Sequence, residues 1–352
     1  MKTLCIDKYT VGELLAPLFL PDIGTFFNQD VNSAREMIVK IKEAGALVLK
    51  GEILHRSDIV LNDETLEKYY SAKRGIIEER YREVIERKVV SLEDYEKIFN
   101  LCKEIKMPFV LSVYDIEGAD FAIQIGASAL KIASSNIVHN VLVKHVASLK
   151  VPIIIDTGKS TIEEIARAVQ WAQDTGCKDI ILEHSPEAPP SPLVNHNLRM
   201  LTTLKEIYNY PVGLSDHHSD DEMLYAATAI GVQVLEKGIC PDNAEDDQDV
   251  YHALPIGRLA EVIEKCNNIF TAMGESMRYL PRDRKKYSAR MGLIARRDVV
   301  SGEYLSLETV DFAFPSKGIP VEQWDAVIGW EFTVDLPKGS IISWGYVKYF
   351  SS

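Results

Sequence analysis

The chain has 352 residues, of which 46% are hydrophobic and 26% charged, with a formal net charge of −13. That length exceeds one small domain and accommodates a barrel of roughly 250 residues plus a module of roughly 60 to 80. No apolar run approaches the ~20 residues that span a bilayer, and the acidic balance argues against nucleic acid, whose phosphates need a basic footprint, so a small-molecule partner is expected.

The opening MKTLCIDKYT carries charge at Lys2, Asp7 and Lys8 and never builds the apolar core of a signal peptide, so a cytoplasmic location is expected. Strand-like runs follow in order: FLPDIG near Phe19, ALVLKG at Ala46, PFVLSVY at Pro108, ALKIAS at Ala129, VPIIID at Val151, DIILEHS at Asp179, PVGLSD at Pro211 and VQVLEKG at Val232. Eight such runs, alternating with amphipathic segments, predict a (β/α)8 barrel in the α/β class. NSAREMIVKIKEAG, SLEDYEKIFNLCKEI and TIEEIARAVQWAQDTG read as outer helices, the last with Ser160 or Thr161 as N-cap followed by early glutamates.

The charged insertion from His55 to Val90 is predicted to be helical at GIIEERYREVIER and occupies a position where barrels place active-site cover. The Pro-rich EHSPEAPPSPLVNHN is read as a stiff loop whose His184 faces the barrel mouth. The barrel is assigned to residues 1–275 and a linker, rich in breakers and basic residues, to 276–287. From 288 to 352 short strands and turns predict a small β-rich domain with Trp324, Trp330 and Trp344 in its core. Five widely spaced cysteines without a CxxC pairing predict reduced thiols.

DIG at Asp22, AREMIVKIKEAGALVLK ending at Lys50, KIASSNIVHN, DTGKSTIEEI, GLSDHH, LEKG and the tail RRDVVSGEYL with IPVEQWDAVIG occur in an order that resembles the sialic acid synthase family. That resemblance covers nearly the whole chain and implies a TIM barrel followed by an antifreeze-like (SAF) domain. It further implies condensation of phosphoenolpyruvate with an N-acetylated sugar to a 3-deoxy-ulosonic acid, a divalent cation (Mn²⁺ or Mg²⁺), and a homodimer in which each small domain completes the partner's barrel mouth.

Lys50 and Lys131 end two predicted strands, where a barrel places its chemistry, and the matching family lysines contact phosphoenolpyruvate. The bland alternative for either is pairing with a carboxylate such as Glu52. Ser112, Ser134, Asn140 and Ser215 join them as candidate donor-binding groups, the serine hydroxyls suiting phosphate oxygens. Asp22 stands where the family has a glutamate that assists acid–base steps, and Glu236 is assigned to the same catalytic set.

The resemblance makes His217 and Asp249 metal ligands, but the family's second histidine falls at Gly238; Glu236, Cys240, His218 and His252 are within reach as substitutes. Two family positions that donate hydrogen bonds are here Asp156 and Glu187, and a carboxylate about 4 Å from a phosphate oxygen costs on the order of 4 kcal/mol at an effective dielectric of about 20. Neutralisation by Lys159 or another base, a bridging metal, or a different ligand would each relieve this. Phe314 replaces the arginine that the family inserts from the partner subunit, with Lys317 near it to restore charge. Two rival functions therefore stand beside the synthase reading. One is an aldolase or lyase using a carboxylate-bound metal or a Schiff base at Lys131; the other is a non-catalytic sugar-acid binding protein.

Overall fold

The structure is a computed structural model that describes residues 2–186, 191–245, 247–275, 277 and 289–349. The chain divides into two compact units, Met1–Gly274 and Glu275–Ser352. The first begins with a small antiparallel hairpin, β1 (Leu4–Ile6) and β2 (Tyr9–Val11), and then alternates strands and helices. In order these are β3 (Leu18–Asp22), α1 (Val31–Glu43), β4 (Leu49–Ile53), the hairpin β5 (Leu66–Ser71) and β6 (Gly75–Arg80), α2 (Tyr81–Glu86), α3 (Leu92–Glu104), β7 (Phe109–Val113), α4 (Ile116–Gln124) and β8 (Ala129–Ile132). They continue through α5 (Asn140–Ser148), β9 (Ile153–Asp156), α6 (Ile162–Asp174), β10 (Ile180–His184), α7 (Arg199–Ile207), β11 (Val212–Asp216), α8 (Glu222–Ile230), β12 (Val234–Cys240), β13 (Leu254–Pro255) and α9 (Leu259–Met273).

Strands β3, β4, β7, β8, β9, β10, β11 and β12 pair in parallel, and β12 returns to β3, so the sheet closes. All eight runs anticipated from sequence form this barrel. Parallel strands covered on both faces read as continuous apolar runs, and the two faces here feed two separate cores. Residues such as Leu49, Leu111, Leu130, Ile155 and Leu182 point outward into the helices. Leu18, Leu20, Val48, Val110, Ala129, Ile154, Ile181 and Val234 fill the lumen together with Leu4, Ile6 and Val11 of the terminal hairpin. The interior is thus a packed plug, and the hairpin closes it.

Four of the outer helices start where the sequence supplies a side-chain oxygen for otherwise unpartnered amides. Asp30, Ser91 and Asp115 cap α1, α3 and α4. Thr161 caps α6 in a reciprocal arrangement with Glu164, so Thr161 and not Ser160 takes that role.

The insertion departs from expectation. Residues 75–80 form strand β6 and only Tyr81–Glu86 is helical. Pairing with β5 decides the matter, because Tyr69 opposite Ile77 and Tyr70 opposite Ile76 give aromatic and β-branched cross-strand contacts that an isolated helix would lack.

The second unit contains the antiparallel pairs β14 (Gly292–Ala295) with β15 (Val310–Ala313) and β16 (Glu331–Phe332) with β17 (Val347–Lys348), with the short helix α10 (Trp324–Val327) between them in sequence. Its core comprises Leu293, Val299, Leu305, Val310, Ile319, Val327, Phe332 and Ile342, with Trp324 and Trp330 packed at its edge. Trp344, expected in that core, is 48% exposed and meets Trp330 edge-on. Phe314 and Lys317 are exposed on this unit. The linker assigned to 276–287 lies outside the described residues, apart from Met277. All five cysteines are free thiols, and among the described residues no helix is long and apolar enough to cross a membrane.

Candidate active site

Side chains alternate along a strand, so the residue two positions beyond each lumen-filling apolar group also faces inward. From Leu20, Val48, Val110, Ala129, Ile154, Ile181 and Val234 that count reaches Asp22, Lys50, Ser112, Lys131, Asp156, Glu183 and Glu236. Ser215 joins them from β11, where Gly213 takes the plug position because a Cβ there would stand 2.9 Å from Val234 and 3.0 Å from Glu183. The apolar plug therefore gives way, one layer up, to a ring of eight polar or charged groups at the carboxyl ends of the strands. Seven of the eight were legible in sequence. Glu183 was not, although the same count of two from Ile181 would have found it.

The ring is strongly paired. Lys131 Nζ lies 2.5 Å from Glu236 Oε1, 2.8 Å from Glu183 Oε2 and 3.1 Å from Asp156 Oδ2, and also donates to Ser215 Oγ at 3.2 Å. Lys50 Nζ donates to Asp22 Oδ2 at 2.6 Å and stands 3.9 Å from Glu236. Asp156 is further held by the Ser185 hydroxyl at 2.6 Å and the Gly158 amide at 3.0 Å. Lys131, rather than Lys159, answers this carboxylate. Glu52, one layer higher, accepts from Tyr114 at 2.5 Å.

Burial by itself would lower the Lys131 pKa, yet the charges of Glu183, Glu236 and Asp156 outweigh it and hold the ammonium well above the ordinary lysine range. Burial raises the Glu183 carboxyl, Lys131 pulls it back, and the neighbouring Glu236 charge leaves it at about 8. Asp156 and Glu236 go the other way: burial opposes ionisation, but Lys131 dominates and both sit below the usual carboxylate range. The cluster thus carries one firmly protonated lysine, two ionised carboxylates and one carboxyl that keeps its proton near neutrality.

Above the ring a cavity of about 820 Å³ is lined by Asp22, Lys50, Ser112, Lys131, Ser134, Asp156, Ser215, His217, Glu236, Asp249 and His252, among others. Ten of the twelve residues singled out from sequence therefore share one cavity. Asn140 does not line it: it is exposed at the first turn of α5, and Asn136 and His139 line the cavity from that loop. Glu187 lies outside the described residues. His184, expected toward the mouth, is buried and donates from Nε2 to the His196 carbonyl at 2.7 Å. Cys240 is buried, its thiol pushed up to about 11 by burial and then by Asp242, and it does not line the cavity.

Lys237 was not anticipated either. Its fully buried ammonium pairs with Asp216 at 2.8 Å and donates to the carbonyl oxygens of His218 and Asp220, pinning the loop that carries His217. His217 Nδ1 is buried without a hydrogen-bond partner. The His252 ring lies 4.9 Å from the His217 ring, and Asp249 Oδ1 lies 4.0 Å from His252 Nε2. Burial, followed by the charge of His217, pushes the His252 imidazole down to about 3, so it is neutral at any working pH. An orphaned imidazole nitrogen beside a neutral imidazole and a carboxylate fits a divalent transition cation.

A closed parallel barrel with charged groups at the strand ends, followed by a separate β-rich unit, defines a (β/α)8 protein with its site at the carboxyl-terminal face. The chain belongs to the NeuB family, whose match spans residues 37–278, and residues 290–348 match the SAF domain. An uncharacterized protein of Methanocaldococcus jannaschii is 29% identical over 344 residues, 96% of each chain. N,N'-diacetyllegionaminic acid synthase of Legionella pneumophila is 25% identical over 345 residues, again 96% of each. The solved structure of an N-acetylneuraminic acid (sialic acid) synthetase from Leptospira borgpetersenii superposes with a TM-score of 0.70 at 20% identity, over 80% of this chain and 93% of that one. At that identity the likeness concerns the fold.

Proposed function

We propose that this NeuB-family chain is a carbon–carbon bond-forming transferase of carbohydrate biosynthesis, condensing phosphoenolpyruvate with an aldose-type, N-acetylated sugar to form a 3-deoxy-ulosonic acid. The observation that carries this reading is the convergence of Lys50, Lys131, Ser112, Ser134 and Ser215 on one strand-end cavity in a chain of that family. The legionaminic acid synthase that matches 96% of its length adds support.

In this reading C3 of the enol attacks the acceptor's aldehyde carbon, the carbonyl oxygen gains a proton, and water adds at C2 as the C–O bond to phosphate breaks. Lys50, Ser134 and Ser215 hold the donor's anionic groups. Asp22, kept against Lys50, stands at the strand end where the acceptor approaches and serves the proton transfers. A divalent cation held at His217 would polarise the aldehyde.

The carboxylates around Lys131 set a condition. A phosphate oxygen about 4 Å from Asp156 or Glu236 is opposed by about 4 kcal/mol per charge pair at an effective dielectric of about 20, and Lys131 is already answered from within. The donor must therefore displace Asp156 from Lys131 or arrive as its metal complex. That same cage favours, as a second reading, an aldolase or lyase that uses a carboxylate-rich metal site. It speaks against the Schiff-base version, because an ammonium held well above its ordinary range is a poor nucleophile at neutral pH.

Calorimetric titration of phosphoenolpyruvate into metal-stripped protein, and into protein with Mn²⁺ or Mg²⁺, separates these readings without guessing the acceptor. We expect binding only with the cation present. Absence of heat under every condition removes the synthase reading and leaves the metal-dependent aldolase and the non-catalytic sugar-acid binding protein.

A further inference from the structure

We propose that His252 supplies the second imidazole of a divalent-cation site with His217, moved from the barrel strand to the loop that follows it, and that Asp249 is the carboxylate ligand. This rests on the metal-dependent part of the reading above and goes beyond it by assigning the ligand set.

The strand position is closed. Residue 238 faces inward on β12, two positions beyond Glu236, but it is glycine, and a Cβ there would stand 3.1 Å from both Cε2 and Cζ of Phe26. A Cβ contact that short already forces its neighbour to move, and an imidazole would need the space the Phe26 ring fills. Phe26 lies just after β3, the strand that pairs Asp22 with Gly238. At this strand position the chain offers no side chain, and the Phe26 ring fills the space beside it.

The loop after β12 brings an imidazole back to the same mouth from another direction. Asp249 takes a left-handed conformation, with φ of 71°, and opens a single turn over Val250–His252. Leu254 and Pro255 then pair with Ile239 and Cys240 of β12, which anchors the far end of that turn to the barrel. His252 is thereby buried, 5% exposed, with its ring 63° to that of His217. Asp249 is steadied by Lys88, 3.4 Å away, and Lys88 also donates to Gln248 at 2.9 Å. Against this, His217 offers a buried Nδ1 that no other group satisfies. A left-handed aspartate costs of order 1 kcal/mol and persists only where the surroundings impose it. Two imidazoles and one carboxylate leave open positions toward the cavity, the donor pattern suited to Mn²⁺, Fe²⁺ or Co²⁺.

One rival stands nearby. Donor atoms of His218, Asp220 and Glu222 already lie within 4.8 Å of one another, whereas the His217, His252 and Asp249 donors must close by side-chain rotation. Asp220 and Glu222 are exposed, and exposed acidic groups bind divalent ions weakly unless the site is preorganised.

The test uses the full chain, stripped of metal and titrated with Mn²⁺ alone, with no donor or acceptor, following free Mn²⁺ by electron paramagnetic resonance. One Mn²⁺ per chain is expected, with affinity falling at least ten-fold in His217→Ala, His252→Ala and His252→Asn, and unchanged within two-fold in His218→Ala and Glu222→Gln. Thermal midpoints of the metal-free variants report whether any loss is simple unfolding. Adding Phe26→Ala with Gly238→His to the His252→Ala background should restore binding, which a fold defect would not allow. Wild-type affinity in His252→Ala, a loss that follows His218 and Glu222 instead, or no Mn²⁺ binding at all would each overturn the assignment. Mn²⁺ binding without phosphoenolpyruvate binding would leave this site standing while removing the donor; metal-independent phosphoenolpyruvate binding with no Mn²⁺ taken up would do the reverse.

Discussion

Glu183 is fully buried, touches Lys131 at 2.8 Å, and leaves both carboxyl oxygens without a hydrogen bond of good geometry. Its folded-state pKa, about 8, exceeds the unfolded value. The native state therefore binds more protons than the unfolded chain between about pH 4.5 and 8. This contribution to stability is full below that window and is lost as pH rises through it, at up to about 1.4 kcal/mol per pH unit. Glu183→Gln keeps the shape and stays neutral, so its stability relative to the parent should grow from pH 5 to pH 8; denaturant midpoints at the two pH values check this. An unchanged difference would mean that Glu183 is ionised throughout.

At this scale the sequence was informative wherever a strand ended in an unusual group. Lys50, Lys131 and Ser215 each followed an apolar run and could be placed by counting. Glu183 escaped because it sits inside DIILEHS, ahead of a histidine that drew attention as the apparent strand end. Asn140 was misplaced for the opposite reason: a polar residue after a strand is as readily the start of the next helix, and α5 begins there. No count of spacings could reveal that Asp156 and Glu236 close on Lys131 at 3.1 and 2.5 Å, since that depends on side-chain reach across the lumen.

Among the elements, the β5–β6 hairpin is the least like its sequence expectation. A charged run with scattered isoleucines has enough helical character to be read as a helix, and only the facing strand, fourteen or fewer residues away, tips it to a hairpin. The hairpin and α2 are tied to the loop after β12. Arg87 reaches Glu79 and Asp247, each at 2.7 Å, and Tyr70 meets Tyr251 edge-on at 4.5 Å. The Arg87 partners are only partly buried, so each pair is worth at most about 1 kcal/mol. That is enough to bias a surface element without affecting the barrel. Arg87→Ala should therefore raise amide exchange in residues 66–86 and in the Asp247–His252 loop while leaving β7 to β11 protected, as read by hydrogen-exchange mass spectrometry. Uniform loss of protection would show instead that the hairpin is integral to the barrel's stability.

For the molecule as a whole, the barrel and the β-rich unit own separate apolar clusters. A chain ending at Gly274 should accordingly keep a cooperative thermal transition and the far-ultraviolet signature of its helices, and an uncooperative melt would refute this independence. The isolated second unit is near the size at which a single core becomes marginal.

Closure of the barrel joins residues that are far apart in time as well as in sequence. Leu18–Asp22 must wait for Val234–Cys240, and Leu4, Ile6 and Val11 share their lumen cluster with Ile181 and Val234. At ribosomal rates of roughly 5 to 20 residues per second, the earliest apolar segments stay without their final neighbours for on the order of tens of seconds. During that interval the apolar side chains of Leu18–Asp22 lack their β12 partner strand, so the closure of the barrel is the last step its topology permits.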